Sequence, residues 1–392
     1  MICIREDHGP DGNAEPKNVV NEIVALDVTS TTVGETAAAA EEDTETRTYS
    51  ATTDSDEDSD HNQKVRVLVT GYDFAVAPRL SPDGNTLACV VWTHPNMPWD
   101  STNLVTVSLP EAVDTVNWMA APSSSLSSVE VSEQHPMRIV AGHDDNTSIL
   151  QPLFHPITGQ LFYISDQSGY YNIYMMDDDD QHHCVLPMDV DFGGSSPGWI
   201  VGQQGFSFLY DGRLVAVFKR EGESVLVVVN IMDWNPRVST TQHVAGTYHS
   251  YTTTTSIPTP IDSVEYNAKD GLPIHFGPVQ GGATTATMND LYFMGGSSSI
   301  PTSVYHWKLP PPPPPQAQSK NGHSHSQSPA AARTVIPATI IAQGSSIQFP
   351  ESIISVLTQI EFPTTFGWTV FGYYYPPGMI CSTVPPIRYH PC

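Results

Sequence analysis

From its N-terminus the chain sets down one short β-rich run after another: "NEIVALDV", "KVRVLVTG", "TLACVVWT", "NLVTVSL", "MRIVAG", "QLFYISD", "YNIYMMD", "GFSFLYDG", "RLVAVFKREG" and "SVLVVVNI". β-Branched and aromatic residues fill these runs. Asp-Gly, Pro-Asp-Gly or a lone Gly separates several of them, the pattern of strands joined by tight turns. A capped apolar period of ~3.6 residues is missing, apart from a weak Ala/Glu patch before residue 47, so no helix is predicted. The expectation is an all-β protein.

The runs repeat. "APRLSPDGNTLACVVWT" (77–93) aligns with "LQPLFHPITGQLFYISD" (150–166): Pro78 matches Pro152, Pro82 matches Pro156, and Gly84 matches Gly159 after one insertion. A looser third copy, "GFSFLYDGRLVAVFKREG" (205–222), keeps the turn at Asp211-Gly212. Each copy reads strand, glycine turn, strand, then a further strand. Four short antiparallel strands around a turn, repeated, predict the blades of a propeller rather than a sandwich. We expect an incomplete β-propeller of about four to five blade-like repeats.

Composition breaks this picture in three places. The stretch 31–63 holds many charges and almost no large apolar residue, 121–133 is Ser-rich, and 310–333 runs from six prolines into a polar tract. None can bury enough surface to offset its ordering entropy, so all three are expected as disordered inserts. The expected domain map is 1–30 propeller strands, 31–63 acidic insert, 64–309 blades, 310–333 Pro-rich insert, 334–377 last propeller strands, and 378–392 an atypical tail. Apolar residues are 39% of the chain, low for a fully packed protein.

Formal charge is −26, from 16 Lys+Arg against 42 Asp+Glu, and ten of those acids lie between Glu35 and Asp60. Such a chain is not expected to bind nucleic acid or an anionic membrane. The five cysteines form no C-x-x-C pair, which reads as reduced thiols in a cytoplasmic-type compartment. "MICIREDHGP" is not a signal peptide, and the run at 225–232 is too short to span a bilayer.

Several motifs then become specific together. "REDH" (5–8), "RLSPDG" (79–84), "HPNMPWD" (94–100), "SDQSGYYNIY" (165–174) and "IEFPTT…YYYPP" (360–377) resemble the S9 prolyl oligopeptidase family, nearest its acylaminoacyl-peptidase and dipeptidyl-peptidase-like branch. The resemblance implies a propeller that caps an α/β-hydrolase domain and filters peptides by size, with the hydrolase supplying Ser, Asp and His. It also implies that "IEFPTT…YYYPP" leads out of the propeller into that domain. Beyond it stands only "GMICSTVPPIRYHPC", without the "HGGP"-type segment, the nucleophile elbow or the late His. The expectation is a propeller portion lacking blades at its start and the hydrolase at its end, inactive alone. A stand-alone interaction platform and one chain of a split peptidase remain as alternatives. Peptide is the expected partner only if a hydrolase is supplied, with self-association through open blade faces as a further expectation. No cofactor is expected.

Candidate chemistry is correspondingly thin. "GSSPG" (194–198) fits G-x-S-x-G, but Pro197 removes the N–H an oxyanion hole would use, and "WIVGQQGFSFLY" reads as strand where an elbow needs a helix. "DSDEDSDHN" (54–62) starts like a calcium loop but has Ser59 and Val65 where Gly and Glu belong. "DDDDQHH" (177–183) reads as a charged turn, His323 and His325 sit in a polar tract, and the six prolines read as a spacer. No catalytic or metal residue is assigned. The candidates for substrate access or a domain interface are Arg5, Glu6, His94, Asn96, Met97 and Trp99. For "HPNMPWD" two roles stand open: a clasp, with Met97 and Trp99 packed on a neighbouring blade, or a loop that steers substrate.

Overall fold

The computed structural model describes residues 1–8, 19–26, 65–109, 137–143, 146–192, 204–232, 234, 262–273, 275–281, 290–309, 337–347 and 349–377. The inserts at 31–63, 121–133 and 310–333 fall outside them, as do "GSSPG" and the calcium-like run.

Among the described residues the chain is strands and short 3-10 turns. The first sheet holds β1 (Ile2–Asp7), β2 (Val20–Leu26) and β3 (Val65–Val69). Four four-stranded sheets follow. The second holds β4 (Phe74–Leu80), β5 (Thr86–Trp92), β6 (Asn103–Ser108) and β7 (Met137–Ala141). The third holds β8 (Ile149–Phe154), β9 (Leu161–Ser165), β10 (Asn172–Met176) and β11 (His182–Cys184). The fourth holds β12 (Phe206–Phe208), β13 (Leu214–Arg220), β14 (Glu223–Asn230) and β15 (Asp262–Tyr266). The fifth holds β16 (His275–Gly281), β17 (Asp290–Gly296), β18 (Ser303–Lys308) and β19 (Thr339–Gln343). A hairpin of β20 (Thr358–Pro363) and β21 (Thr369–Tyr374) ends the series. Each sheet is an antiparallel meander of consecutive strands.

The apolar pattern dictates how the sheets stack. In β5, Leu87, Cys89 and Val91 pack with Ile23 and Val69 of the first sheet, while Ala88, Val90 and Trp92 pack with Ile149, Leu161 and Tyr163 of the third. In β13, Leu214, Ala216 and Phe218 face Phe162, Ile173 and Met175 of the third sheet, while Val215 and Val217 face Leu291, Phe293 and Trp307 of the fifth. A strand buried on both faces needs apolar residues at both parities, which is why "TLACVVW", "LFYIS" and "LVAVF" are continuous rather than alternating runs. Each such Val, Leu, Ile or Phe contributes about 1.5–3 kcal/mol by leaving water. Sheets stacked in chain order, the second to fourth each sandwiched between predecessor and successor, are propeller blades.

The sequence repeat is a repeat of backbone devices. In the second, third and fourth sheets one bond spans the first turn: Ser81 N–H to Thr86 O, His155 N–H to Gln160 O, and Leu209 N–H to Arg213 O, each 2.8 Å. A second closes it, from Gly84, Gly159 and Gly212 N–H back to those three residues' carbonyls at 2.9–3.0 Å. The three glycines have φ of 76°, 74° and 85°, a left-handed conformation that costs a side chain. Ala77 and Gln151, each just before the matched proline, also have positive φ (53° and 48°) and sit in bulges of β4 and β8.

Candidate functional site

In a four-stranded meander, the turn from second to third strand lies at the same end as the link to the next sheet. "HPNMPWD" is that turn in the second sheet (β5 to β6), and Asp166–Tyr171, Glu221-Gly222 and 297–302 are its equivalents in the third, fourth and fifth. One end of the blades therefore carries the most specific motif together with the start of "SDQSGYYNIY".

The "HPNMPWD" loop is held at both ends. His94 N–H donates to Asp73 Oδ2 at 2.7 Å, and the His94 ring meets Phe74 edge-on at 5.2 Å. Asn96 N–H reaches Thr93 O at 3.1 Å, and Met97 N–H reaches Asp100 Oδ2 at 3.0 Å. The link to the third sheet runs through the buried Pro98: its carbonyl accepts from Ser148 Oγ at 2.7 Å, and Ser148 Oγ accepts from the Tyr171 hydroxyl at 3.1 Å. Ser148 N–H in turn donates to Asp166 Oδ1 at 2.8 Å. Burial pushes the Tyr171 phenol up, opposed in part by the Ser148 bond and aided by the carboxylates of Asp166, Asp191 and Asp100, so it stays a donor. The loop thus holds the neighbouring blade through its backbone at Pro98. Met97 is 38% exposed and Trp99 45% exposed, so each keeps part of its side chain in solvent.

The other candidates lie one sheet away. Arg5 donates to Glu22 Oε2, its register partner on β2, and lies 3.7 Å from Asp7 Oδ2. Glu6 sits opposite Asn21 and pairs with His8 at 3.5 Å. Asn21 Nδ2 donates to the Asp73 carbonyl at 2.8 Å, the residue whose side chain holds His94. Asp73 therefore joins the "REDH" strand pair to the "HPNMPWD" loop.

Below this end stand groups with structural partners. In "DDDDQHH", Asp177 Oδ1 accepts from Asp179 and Gln181 N–H, both at 2.9 Å, and Asp177 Oδ2 meets His183 Nε2 at 2.9 Å. Asp180 pairs with Arg138 at 2.6 Å. The run is a charged turn, and among the described residues no cluster of three or more His, Cys, Asp or Glu is placed to hold a metal. His155 is buried: Nε2 bonds the Gly212 carbonyl at 2.9 Å and Nδ1 accepts from Thr158 N–H at 3.0 Å, tying the third sheet to the fourth. Gln151 makes a second tie, accepting from Gly205 N–H at 2.6 Å and donating to Phe206 O at 2.7 Å.

No family model and no curated protein sequence matches the chain. Solved structures do. A puromycin-hydrolyzing peptidase of Mycobacterium tuberculosis matches with a TM-score of 0.57 at 20% identity, over 96% of this chain and 41% of that one. Puromycin hydrolase matches with 0.58 at 16% identity, over 96% of this chain and 40% of that one. The chain shares its fold with these peptidases. It spans about two-fifths of their length. The matched part takes in the four-stranded sheets described above, since the match leaves out only a few per cent of this chain. It agrees with the reading of an all-β, propeller-type portion.

Sequence reasoning singled out the loop and the "REDH" strand but not the groups that join them. Asp73 and Ser148 are isolated polar residues without a motif, and Tyr171 lies within "SDQSGYYNIY" without a role of its own there. Their signal is positional: each stands at a strand entry or at a second-to-third turn, on the same end as the motifs.

Proposed function

We propose that this chain is the propeller portion of a serine peptidase of the prolyl oligopeptidase type, nearest the acylaminoacyl-peptidase and dipeptidyl-peptidase-like branch, and that it does not hydrolyse peptides by itself. The observation that carries this reading is a match that covers 96% of this chain and 41% of a puromycin-hydrolyzing peptidase. The ordered motifs from "REDH" to "YYYPP" support it independently. In this reading the blade end carrying "HPNMPWD" faces the catalytic part of the whole protein, where exposed Met97 and Trp99 and the Arg5–Glu6 strand border the path of a peptide substrate. The compartment is cytoplasmic, where Cys3, Cys89 and Cys184 stay free thiols.

Acyl transfer to a serine requires the hydroxyl, a base and an orienting group in mutual reach. Four of the described imidazoles have structural partners: His155 on Gly212 O, His182 on the Tyr163 hydroxyl, His183 on Asp177, and His306 on Asp290. The experiment is treatment of the purified chain with a fluorophosphonate probe, read by intact mass, alongside aminoacyl and acylaminoacyl chromogenic substrates. The expected result is an unshifted mass and no turnover. Stoichiometric labelling of any serine, Ser196 included, overturns the reading.

A further inference from the structure

A cavity of about 510 Å³ opens between the second and third sheets, at the end of the blades away from "HPNMPWD". Along most of its length the seam between these sheets is apolar: Ala88, Val90 and Leu104 meet Leu161, Tyr163 and Tyr174. Toward this end the pattern stops on one wall. Thr86 pairs with Ser108, Ala88 with Thr106, and Thr106 with Arg138, so register carries the inward face of the second sheet from apolar side chains into hydroxyls and a guanidinium. The third sheet does not change. Phe154 pairs with Leu161 and Leu161 with Met176, and all three line the cavity.

The cavity thus has one wall of hydroxyls and one of apolar side chains, and its volume falls in the ~300–1,000 Å³ range of small-molecule pockets. Its exposed lining carries both signs of charge. Arg138 of the second sheet lies 2.6 Å from Asp180 of the third, and Asp178 lines the same opening. With side chains 56% and 49% exposed, the Arg138–Asp180 pair is screened by water, so either partner can turn to a further group at little cost. Asp177 is committed: it accepts from Asp179 and Gln181 N–H and meets His183.

This lining selects a ligand chemistry. A simple anion is opposed by Asp178 and Asp180, and a simple cation by Arg138. A zwitterion satisfies both, with its carboxylate on the guanidinium and its ammonium on the two carboxylates. The wall of Phe154, Leu161 and Met176 then takes apolar side chains, and the hydroxyls of Thr86 and Thr106 suit a peptide group between the two charged ends. We propose that this cavity binds a short zwitterionic peptide, of dipeptide size, with apolar side chains. The site lies at the opposite end of the blades from Met97 and Trp99, and the inference does not rest on the peptidase reading.

The test is isothermal titration of the full chain with phenylalanyl-leucine, with its N-acetyl form, which lacks the ammonium, and with its amide, which lacks the carboxylate. The expected result is saturable binding of the free dipeptide, one per chain, with a Kd below about 1 mM, and at least tenfold weaker binding of both blocked forms. Arg138→Gln, at an exposed site, is expected to weaken the free dipeptide about tenfold and to leave the amide unchanged, with unaltered circular dichroism. Asp178→Asn does the same for the free dipeptide and leaves the N-acetyl form unchanged. Trp99→Ala, at the other end of the blades, leaves all three titrations unchanged. An absence of saturable heat up to about 10 mM overturns the proposal. So do blocked forms that bind as well as the free dipeptide, an Arg138→Gln variant with full affinity, or a loss of binding in Trp99→Ala, which would put the peptide at the "HPNMPWD" end.

Discussion

His155 shows how a single ring can tie two blades together. Burial pushes its pKa down from the usual 6.5, with the Gly212 carbonyl bond opposing that in part. The folded state therefore takes up the proton at lower pH than the unfolded chain does. Stability from this group is complete above about 6.5 and falls as pH drops toward the folded value, with a slope of at most about 1.4 kcal/mol per pH unit. Urea denaturation between pH 7.5 and 5 should show that decline, and His155→Gln should make it shallower; an unchanged slope would remove His155 from the account. Gly212 faces the same ring: an added Cβ would overlap Met232 Sδ and lie 3.0 Å from the imidazole, at a φ of +85°. Gly212→Ala should thus cost more than the ~1–2 kcal/mol of the left-handed backbone alone. The glycine was legible in sequence as the repeat's turn residue. The histidine was not, because it occupies the place of Ser81 in "SPDG", and only packing shows that its ring reaches the next blade. Two thiols report the same burial: Cys89 and Cys184 are each pushed up to about 12 by desolvation. In the native protein at pH 8, Cys3 should react with a disulfide reagent well before either of them.

At the scale of elements, the continuous apolar runs predicted the second strands, and the Gly turns predicted their hairpins. The loop "HPNMPWD" was recognised by its odd composition, and one contact that holds it was not suggested by that composition. Large apolar side chains in a loop point to burial, yet the buried group is Pro98, and the bond is from Ser148 to its carbonyl. Backbone acceptors leave no trace in sequence, so this contact was invisible there. The two roles can be separated by mutation. Ser148→Ala, at a fully buried site, should cost about 1–3 kcal/mol by stranding the Pro98 carbonyl and the Tyr171 hydroxyl. Trp99→Ala, at a site 45% exposed, should stay within about 1 kcal/mol. Chemical denaturation of the two variants checks both. A Trp99 loss larger than the Ser148 loss would restore the packing role to the indole.

Taken as a whole molecule, the account rests on stacking order: the second, third and fourth sheets each bury their two faces against two different sheets. A sandwich made from the same strands would bury one face and leave the other to solvent. Adjacent residues of β5 distinguish the two. Methyl NOESY on the full chain, with Ile, Leu and Val methyls labelled, reads this without ambiguity. Val91 and Leu87 should show cross-peaks to Ile23 and Val69 of the first sheet and none to the third, while Val90 shows them to Ile149 and Leu161 of the third sheet and none to the first. Cross-peaks from Val90 and Val91 to the same sheet, or none from Val90 at all, would contradict the propeller and the peptidase reading built on it.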